Sequence, residues 1–281
     1  MRVSGLIDLH THTTASDGTR SPVELVREAA ARGIRFLGIA DHDTTNGLPS
    51  AIQEAARLPD VTVIPAVELS ATSRDGGDFH LLGYCIDPTS RSLQTALDEF
   101  RIDREARVDH MIQRLRENDI DITREQVAVN AAGGAVSRAH IGRVLIELGE
   151  VETITEAFDR WLGKNRPAFI PRKPLPAGEA VRLIHEAGGF AVLAHPLTMG
   201  NYRKQLPELI DAGLSGLESY YGPYSAEERS MLADLARQNG LIATGGSDYH
   251  GPDHREGREL GNSEVPESVI DELRSLRTDC I

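Results

Sequence analysis

The chain has 281 residues and a formal net charge of −13, from 43 acidic and 30 basic side chains, a length that suits one large domain or one domain carrying an insertion. That balance excludes a broad nucleic-acid-coating surface, which would be basic, and leaves room for a local positive pocket. Two cysteines, Cys85 and Cys280, exclude a disulfide framework, and one pair so distant in sequence is weak ground for an oxidising compartment.

Cys85 reads as a small buried hydrophobe. The first apolar run is broken by Asp8, and no run reaches membrane-spanning length, so a cytoplasmic protein without membrane contact is expected. That run, 6–10, predicts a strand ending in histidines. Ser21-Pro22 then opens a helical pattern through Ala31 that Gly33 closes, with Pro inside a Ser cap and Gly past the end. Residues 36–40 form a buried strand by length and apolarity, and they run straight into Asp41-His42-Asp43. A helix over 47–56 and a β-branched strand over 61–67, ending at Glu68, follow. From about 93 to 170 the rhythm stops: 93–118 is a long charge-rich helical stretch and 123–162 reads as several shorter helices. It resumes with helices over 177–187, 206–212 and 226–239, and with strands over 190–194 and 241–244. The alternation predicts an α/β fold, either a parallel sheet or a β/α barrel, interrupted by an all-helical insertion.

Five separated islands gather histidine with carboxylate: Asp8-Leu9-His10-Thr11-His12 with Asp17, Asp41-His42-Asp43, Glu68 with His80, His195, and Asp248-Tyr249-His250. Imidazole and carboxylate together hold divalent first-row metals, and the islands follow strands, where β/α barrels put their active sites. His10 and His12 lie two apart at a strand end, so both can reach one ion; alone, such a pair is more often solvent-exposed or a satisfied core pair than a ligand pair. Asp248 and His250 repeat the spacing after Gly245-Gly246, which permit close backbone approach. Glu68 ends an apolar strand, where a carboxylate is costly unless paired or metal-bound, and a bridging role suits it. Asp8, Asp41 and Asp43 read as hydrogen-bond acceptors that orient imidazoles. His110 reads as exposed, His185 as packing, and His254 has no motif support.

The strings DLHTHTTASDGT, GIADHDT, AVELS, HLLGY, LAHP and GSDYH occur in this order and resemble the PHP (polymerase and histidinol phosphatase) superfamily over roughly residues 6–87 and 177–255. The resemblance implies a distorted (β/α)7 barrel, split as 1–92 and 172–281 around a helical insertion over 93–171. It also implies a metal-dependent hydrolase of phosphate esters with two or three divalent ions, manganese first, with iron or zinc as alternatives. One ion would be held by His10, His12, Glu68 and Asp248, a second by Glu68, His80 and His195, and a third by Asp17, His42 and His250.

The SRAHIGR and FIPRK strings of the insertion are similar to the branch that includes nucleoside 3′,5′-bisphosphate phosphatases and 5′–3′ exoribonucleases. That likeness implies removal of the 3′-phosphate from a nucleoside 3′,5′-bisphosphate, or trimming of short 5′-phosphorylated RNA, with no duplex DNA partner. Histidinol-phosphate phosphatase and a non-catalytic metal-binding regulatory module are the alternatives. Cations sharing Glu68 would lower the pKa of water enough to give hydroxide near neutral pH, so no side chain is expected to act as nucleophile, and no GxSxG elbow occurs. Arg138 is the first choice for phosphate, because its planar fork suits it. His140 and Lys173 follow as substrate contacts, then Lys164 and Arg172.

Overall fold

Seven strands stand side by side in chain order, in a mixed sheet curled until its first and last members meet. The computed structural model describes residues 6–73, 76–131, 136–252, 256–277 and 280. The strands and helices run β1 (Leu6–Thr11), α1 (Pro22–Ala31), β2 (Ile34–Ile39), α2 (Leu48–Ala55), β3 (Thr62–Thr72) and β4 (Asp78–Tyr84). Next come α3 (Arg91–Arg116), α4 (Arg124–Asn130), α5 (Arg138–Glu147) and α6 (Ile154–Ala157), the last continuing as a π-helical turn through Leu162. The chain then returns to the barrel with α7 (Ala177–Glu186), β5 (Phe190–Leu193), α8 (Tyr202–Asp211), β6 (Gly216–Tyr221), α9 (Ala226–Gln238), β7 (Ile242–Gly246) and α10 (Ser268–Leu276).

Local chemistry explains the boundaries. Ser21 caps α1 in a reciprocal pair with Glu24, and Ser225 does the same for α9 with Glu228, satisfying amide groups that a helix start leaves bare. After α1 the chain turns at Gly33, whose φ of 76° suits a residue without Cβ. β1, β2 and β3 are parallel, as are β5, β6 and β7. β4 runs antiparallel to both β3 and β5, a reversal that the strand–helix alternation does not announce. The reversal puts the start of β4, with His80 opposite Ser70, on the rim formed by the C-terminal ends of the other strands. Two backbone bonds close the seam: His12 N–H donates to the Tyr249 carbonyl at 2.9 Å, and Asp248 N–H to that of His10 at 2.8 Å.

The apolar core is divided. One large cluster lies between the sheet and its outer helices, and a smaller one fills the barrel, including Leu9, Ile64, Leu82, Tyr84 and Val192. A third belongs to the helical segment: Met111, Ile122, Val127, Ile141 and Leu162 pack together, away from the sheet. α3 joins two cores, with Leu93 and Leu97 against the barrel and Val108 to Leu115 in the helical cluster. α10, which the sequence did not announce, lays Val269, Ile270 and Leu273 on the barrel cluster.

One expectation is corrected: Cys85 and Cys280 form a disulfide across 195 residues. Cys85 is buried, as a small hydrophobe would be, but the end of β4 and the C-terminal segment meet in space, which their separation in sequence concealed. It remains a single tie and no framework.

Candidate metal centre

The rim on which β1, β3, β5 and β7 end carries the histidine–carboxylate islands, and the fold brings them to one place. Ligand-capable atoms of His10, His12, Glu68 and Asp248 lie within 4.8 Å of one another, as do those of His12, Asp17, His42 and His250, and those of His42, Glu68 and His80. His195 joins through its Nε2, 3.1 Å from Glu68 Oε1. All nine residues that the resemblance implied as ligands therefore converge, and Glu68, fully buried, sits in their midst. Its Oε2 is 3.1 Å from His10, 3.2 Å from His12 and 3.1 Å from His42, while Oε1 faces His80 at 2.7 Å.

Close backbone approach makes this possible. A Cβ on Gly246 would overlap the backbone of His10 across the seam, so glycine is required there. Asp43, His195 and Asp248 have φ of 51°, 27° and 56°, left-handed conformations that non-glycine residues adopt at some cost. They turn the chain sharply at the strand ends and aim the ligands inward.

The outer atoms of the imidazoles are tied down. His10 Nδ1–H donates to Glu218 at 2.9 Å, which leaves Nε2 and its lone pair facing Glu68 and His12. His195 Nδ1–H donates to the Thr198 hydroxyl at 2.9 Å, and His250 Nδ1–H to the Asp248 carbonyl at 2.8 Å. Asp248 Oδ2 accepts from Tyr221 at 2.8 Å and pairs with Arg258 at 2.9 Å, so that Oδ1 faces His12 at 3.1 Å. Partners of this kind fix tautomer and ring orientation around a metal.

The donor set fits divalent cations. His12 Nδ1 is a buried polar atom without a hydrogen-bond partner among the described residues, and His42 Nδ1, His80 Nδ1 and Asp17 Oδ1 have only close charged neighbours that are poorly directed for hydrogen bonds. Protons alone satisfy the cluster unevenly. Burial opposes the charge of His12, yet Asp248 and Glu68 outweigh it and push its pKa up to about 9; burial takes His42 down to about 3 despite Glu68 and Asp17. Burial opposes ionisation of Asp17 and Glu68 as well, but the surrounding imidazoles hold both well below the usual carboxylate range. A cation that displaces the protons held on His10 and His12 would find imidazoles and ionised carboxylates sharing one space, a ligand set for hard-to-borderline cations.

The three acids expected to orient imidazoles do not accept from one. Asp8 binds the backbone and hydroxyl of Ser247 and the Gly261 amide. Asp41 binds Thr13 and Ser16, and Asp43 binds the Ser70 amide and Arg104. These acids fix the loops that bear the ligands. The imidazole acceptor is Glu218, fully buried on β6, which also accepts from His195 N–H at 2.6 Å. The sequence reading overlooked it, although an acid inside the apolar run LESYY carries the same signal that singled out Glu68.

Above the cluster, a cavity of about 290 Å³ separates His42, His80 and His250 from the underside of the helical segment. Arg104, Arg107, Arg138, Arg172 and Arg258 line it beside Phe158 and Phe169, a positive pocket in an acidic protein. Arg138 packs its guanidinium over the Phe158 ring at 5.3 Å and makes no ion pair among the described residues. Burial, with Arg107 close by, lowers its pKa to about 10, so it stays charged at neutral pH and in want of an anion. Of the other substrate candidates, Arg172 alone shares the cavity among the described residues. His140 is buried and off the cavity, its Nδ1 accepting from Ser137 N–H at 3.0 Å at the start of α5. Lys173, with a 70% exposed side chain, pairs with Glu99, and Lys164 donates to the Gly76 carbonyl. Arg172 lines the cavity and also binds the Ala71 carbonyl. His110 and His185 are exposed, and His254 lies outside the described residues.

Comparison with known proteins agrees with this geometry. The PHP domain family matches residues 8–170. The 5′–3′ exoribonuclease Rnm of Salmonella typhimurium is 36% identical over 252 residues, covering 88% of this chain and 86% of the relative. The 3′,5′-nucleoside bisphosphate phosphatase of Chromobacterium violaceum is 32% identical over 270 residues, covering 92% and 91%. The crystal structure of a metal-dependent phosphoesterase from Bifidobacterium adolescentis superposes with a TM-score of 0.87 at 29% identity, covering 96% of both chains. A nearly closed seven-stranded barrel, a histidine–carboxylate cluster on its rim and these relatives identify the chain as a member of the PHP family, a metal-dependent phosphoesterase.

Proposed function

We propose that the enzyme removes the 3′-phosphate of nucleoside 3′,5′-bisphosphates and, on the same centre, trims short 5′-phosphorylated RNA from its 5′ end. The observation that carries this reading is the pairing of a nine-residue ligand cluster with a separate group of arginines across one cavity. A substrate with two phosphates can place one on each, and Phe158 and Phe169 offer apolar faces to what lies between. The names of the exoribonuclease and bisphosphate phosphatase relatives support the same substrates.

His10, His12, Glu68 and Asp248 would hold one divalent ion, Glu68, His80 and His195 a second, and Asp17, His42 and His250 a third, with manganese the first choice. Such ions, once bound, acidify water and neutralise phosphoryl oxygens. Glu68 keeps both carboxylate oxygens directed at the imidazoles, and Glu218 holds His10 in the tautomer that presents Nε2. Arg138 orients the second phosphate, its planar fork matched to two oxygens. The packed helical segment, taken as 93–171, roofs the site and limits water. We place the protein in the cytoplasm; among the described residues no helix is long and apolar enough to cross a membrane.

The test is phosphate release from nucleosides bearing 2′, 3′ or 5′ phosphates, singly and paired, from short 5′-phosphorylated RNA and from histidinol phosphate, with manganese present. Preference for the 3′,5′ pair and stepwise shortening of RNA are expected. Equal turnover of every monophosphate, or histidinol phosphate as the best substrate, would overturn the assignment.

A further inference from the structure

The ligands of the first ion are held from within the barrel. Glu218 and Tyr221 of β6 bind His10 and Asp248, and Arg258 completes the hold on Asp248. The third position is held differently. Two of its ligands, Asp17 and His42, sit on the loops after β1 and β2, and each loop is gripped by an arginine from the helical segment. Arg143 of α5 donates to the backbone carbonyl of Asp17 itself at 2.6 Å, across 126 residues of sequence. Arg104, on the part of α3 that leaves the barrel, is 8% exposed and pairs with Asp43, the neighbour of His42. Asp43 in turn accepts from Ser70 N–H at 3.0 Å, with its backbone in a left-handed conformation. His250, the remaining ligand, hangs on the barrel through the Asp248 carbonyl.

We infer that Arg143 and Arg104 are positioning residues through which the docking of the helical segment sets the occupancy of the third ion. The physical ground is that a bound cation needs its donors held within a few tenths of an ångström, and outer partners of ligands commonly control metal affinity. Neither arginine is a ligand, and what each fixes is the path of the loop that carries one. Arg143 is partly buried, and its bond to the Asp17 carbonyl is short and directed at a single acceptor. The roof and the third ion are thus parts of one unit, whereas the first ion belongs to the barrel alone. This inference rests on the three-ion reading above.

The experiment uses full-length protein stripped with chelator, titrated with manganese by calorimetry, with bound metal counted by elemental analysis and folding followed by circular dichroism. Arg143→Met is expected to weaken one binding step on the order of tenfold or more while the other steps stay unchanged. Arg143→Lys should restore part of the loss, because it keeps a donor. Arg160→Gln, an exposed pair within the helical segment, should change no step. Should Arg143→Met fail to fold, Arg104→Gln carries the same expectation through the His42 loop. Unchanged binding in a folded variant, or equal weakening of every step, overturns the inference. Wild-type protein that takes up only two ions overturns the three-ion reading first, and the inference with it.

Discussion

The barrel and the helical segment face each other across one cavity, and they bring opposite chemistry to it. The barrel supplies all nine ligand candidates, each from a strand or the loop directly after it. The helical segment supplies none of them and offers arginine and aromatic side chains instead. The difference teaches a division of labour. Strand ends fixed by a closed sheet can hold donors to the accuracy that cations demand, while the roof, apart from the two arginines that grip ligand-bearing loops, can vary its cations and rings to choose among phosphate esters.

Four experiments would break or sharpen that division. The largest effect is expected at Glu68, where both oxygens are shared among five imidazoles. Glu68→Gln should lower kcat on the order of 10⁴-fold and reduce bound metal, measured by turnover and elemental analysis together. Retained turnover would detach the chemistry from the barrel.

Next comes His140, which burial depresses to about 4 from an ordinary 6.5. Because its folded-state pKa lies below the unfolded value, its neutral form is intact above the unfolded pKa. Stability is lost as pH falls through this window, since the unfolded chain takes up the proton first. Chelated wild-type protein should lose roughly 3 kcal/mol more than His140→Asn between pH 7.5 and pH 4, read from urea unfolding. A KM change without this difference in slope would return His140 to the list of phosphate contacts.

Glu218→Gln should then weaken metal binding about 10- to 100-fold, in the two steps that involve His10 and His195, as manganese titration would reveal. Smallest is Arg138→Met, expected to raise KM roughly tenfold for a 3′,5′-bisphosphate, with kcat and melting temperature nearly unchanged. A fall in kcat with KM constant would mean that the roof takes part in the reaction itself.

The ligand candidates were legible in the sequence because most lie in short strings of histidine and carboxylate at strand ends, and the ordered motifs of the resemblance supplied the full set. His10 and His12 state their geometry in three residues. What lay hidden depends on contacts between distant strings: Glu218 reaches His10 across 208 residues, and Arg143 reaches Asp17 across 126. Strand–helix alternation left a parallel sheet and a β/α barrel open, and the resemblance chose the barrel; the reversal at β4 was not legible, since an antiparallel strand and a parallel one carry the same apolar signature. The disulfide failed for a related reason, as two cysteines say nothing of where their strand and tail meet. Among the cations, composition could not tell Arg138, aimed at the cavity, from Lys173, turned to solvent.

The seam of the sheet gains a further meaning from its two closing bonds, His12 to Tyr249 and Asp248 to His10. The residues that zip the first strand to the last are themselves ligand candidates or their direct neighbours. A ribosome that has delivered only the N-terminal portion has therefore made most of the donors and none of the enclosure. Phosphoester hydrolysis is thus expected only once the final strand has docked on the first, and a product truncated before β7 is expected to be inert.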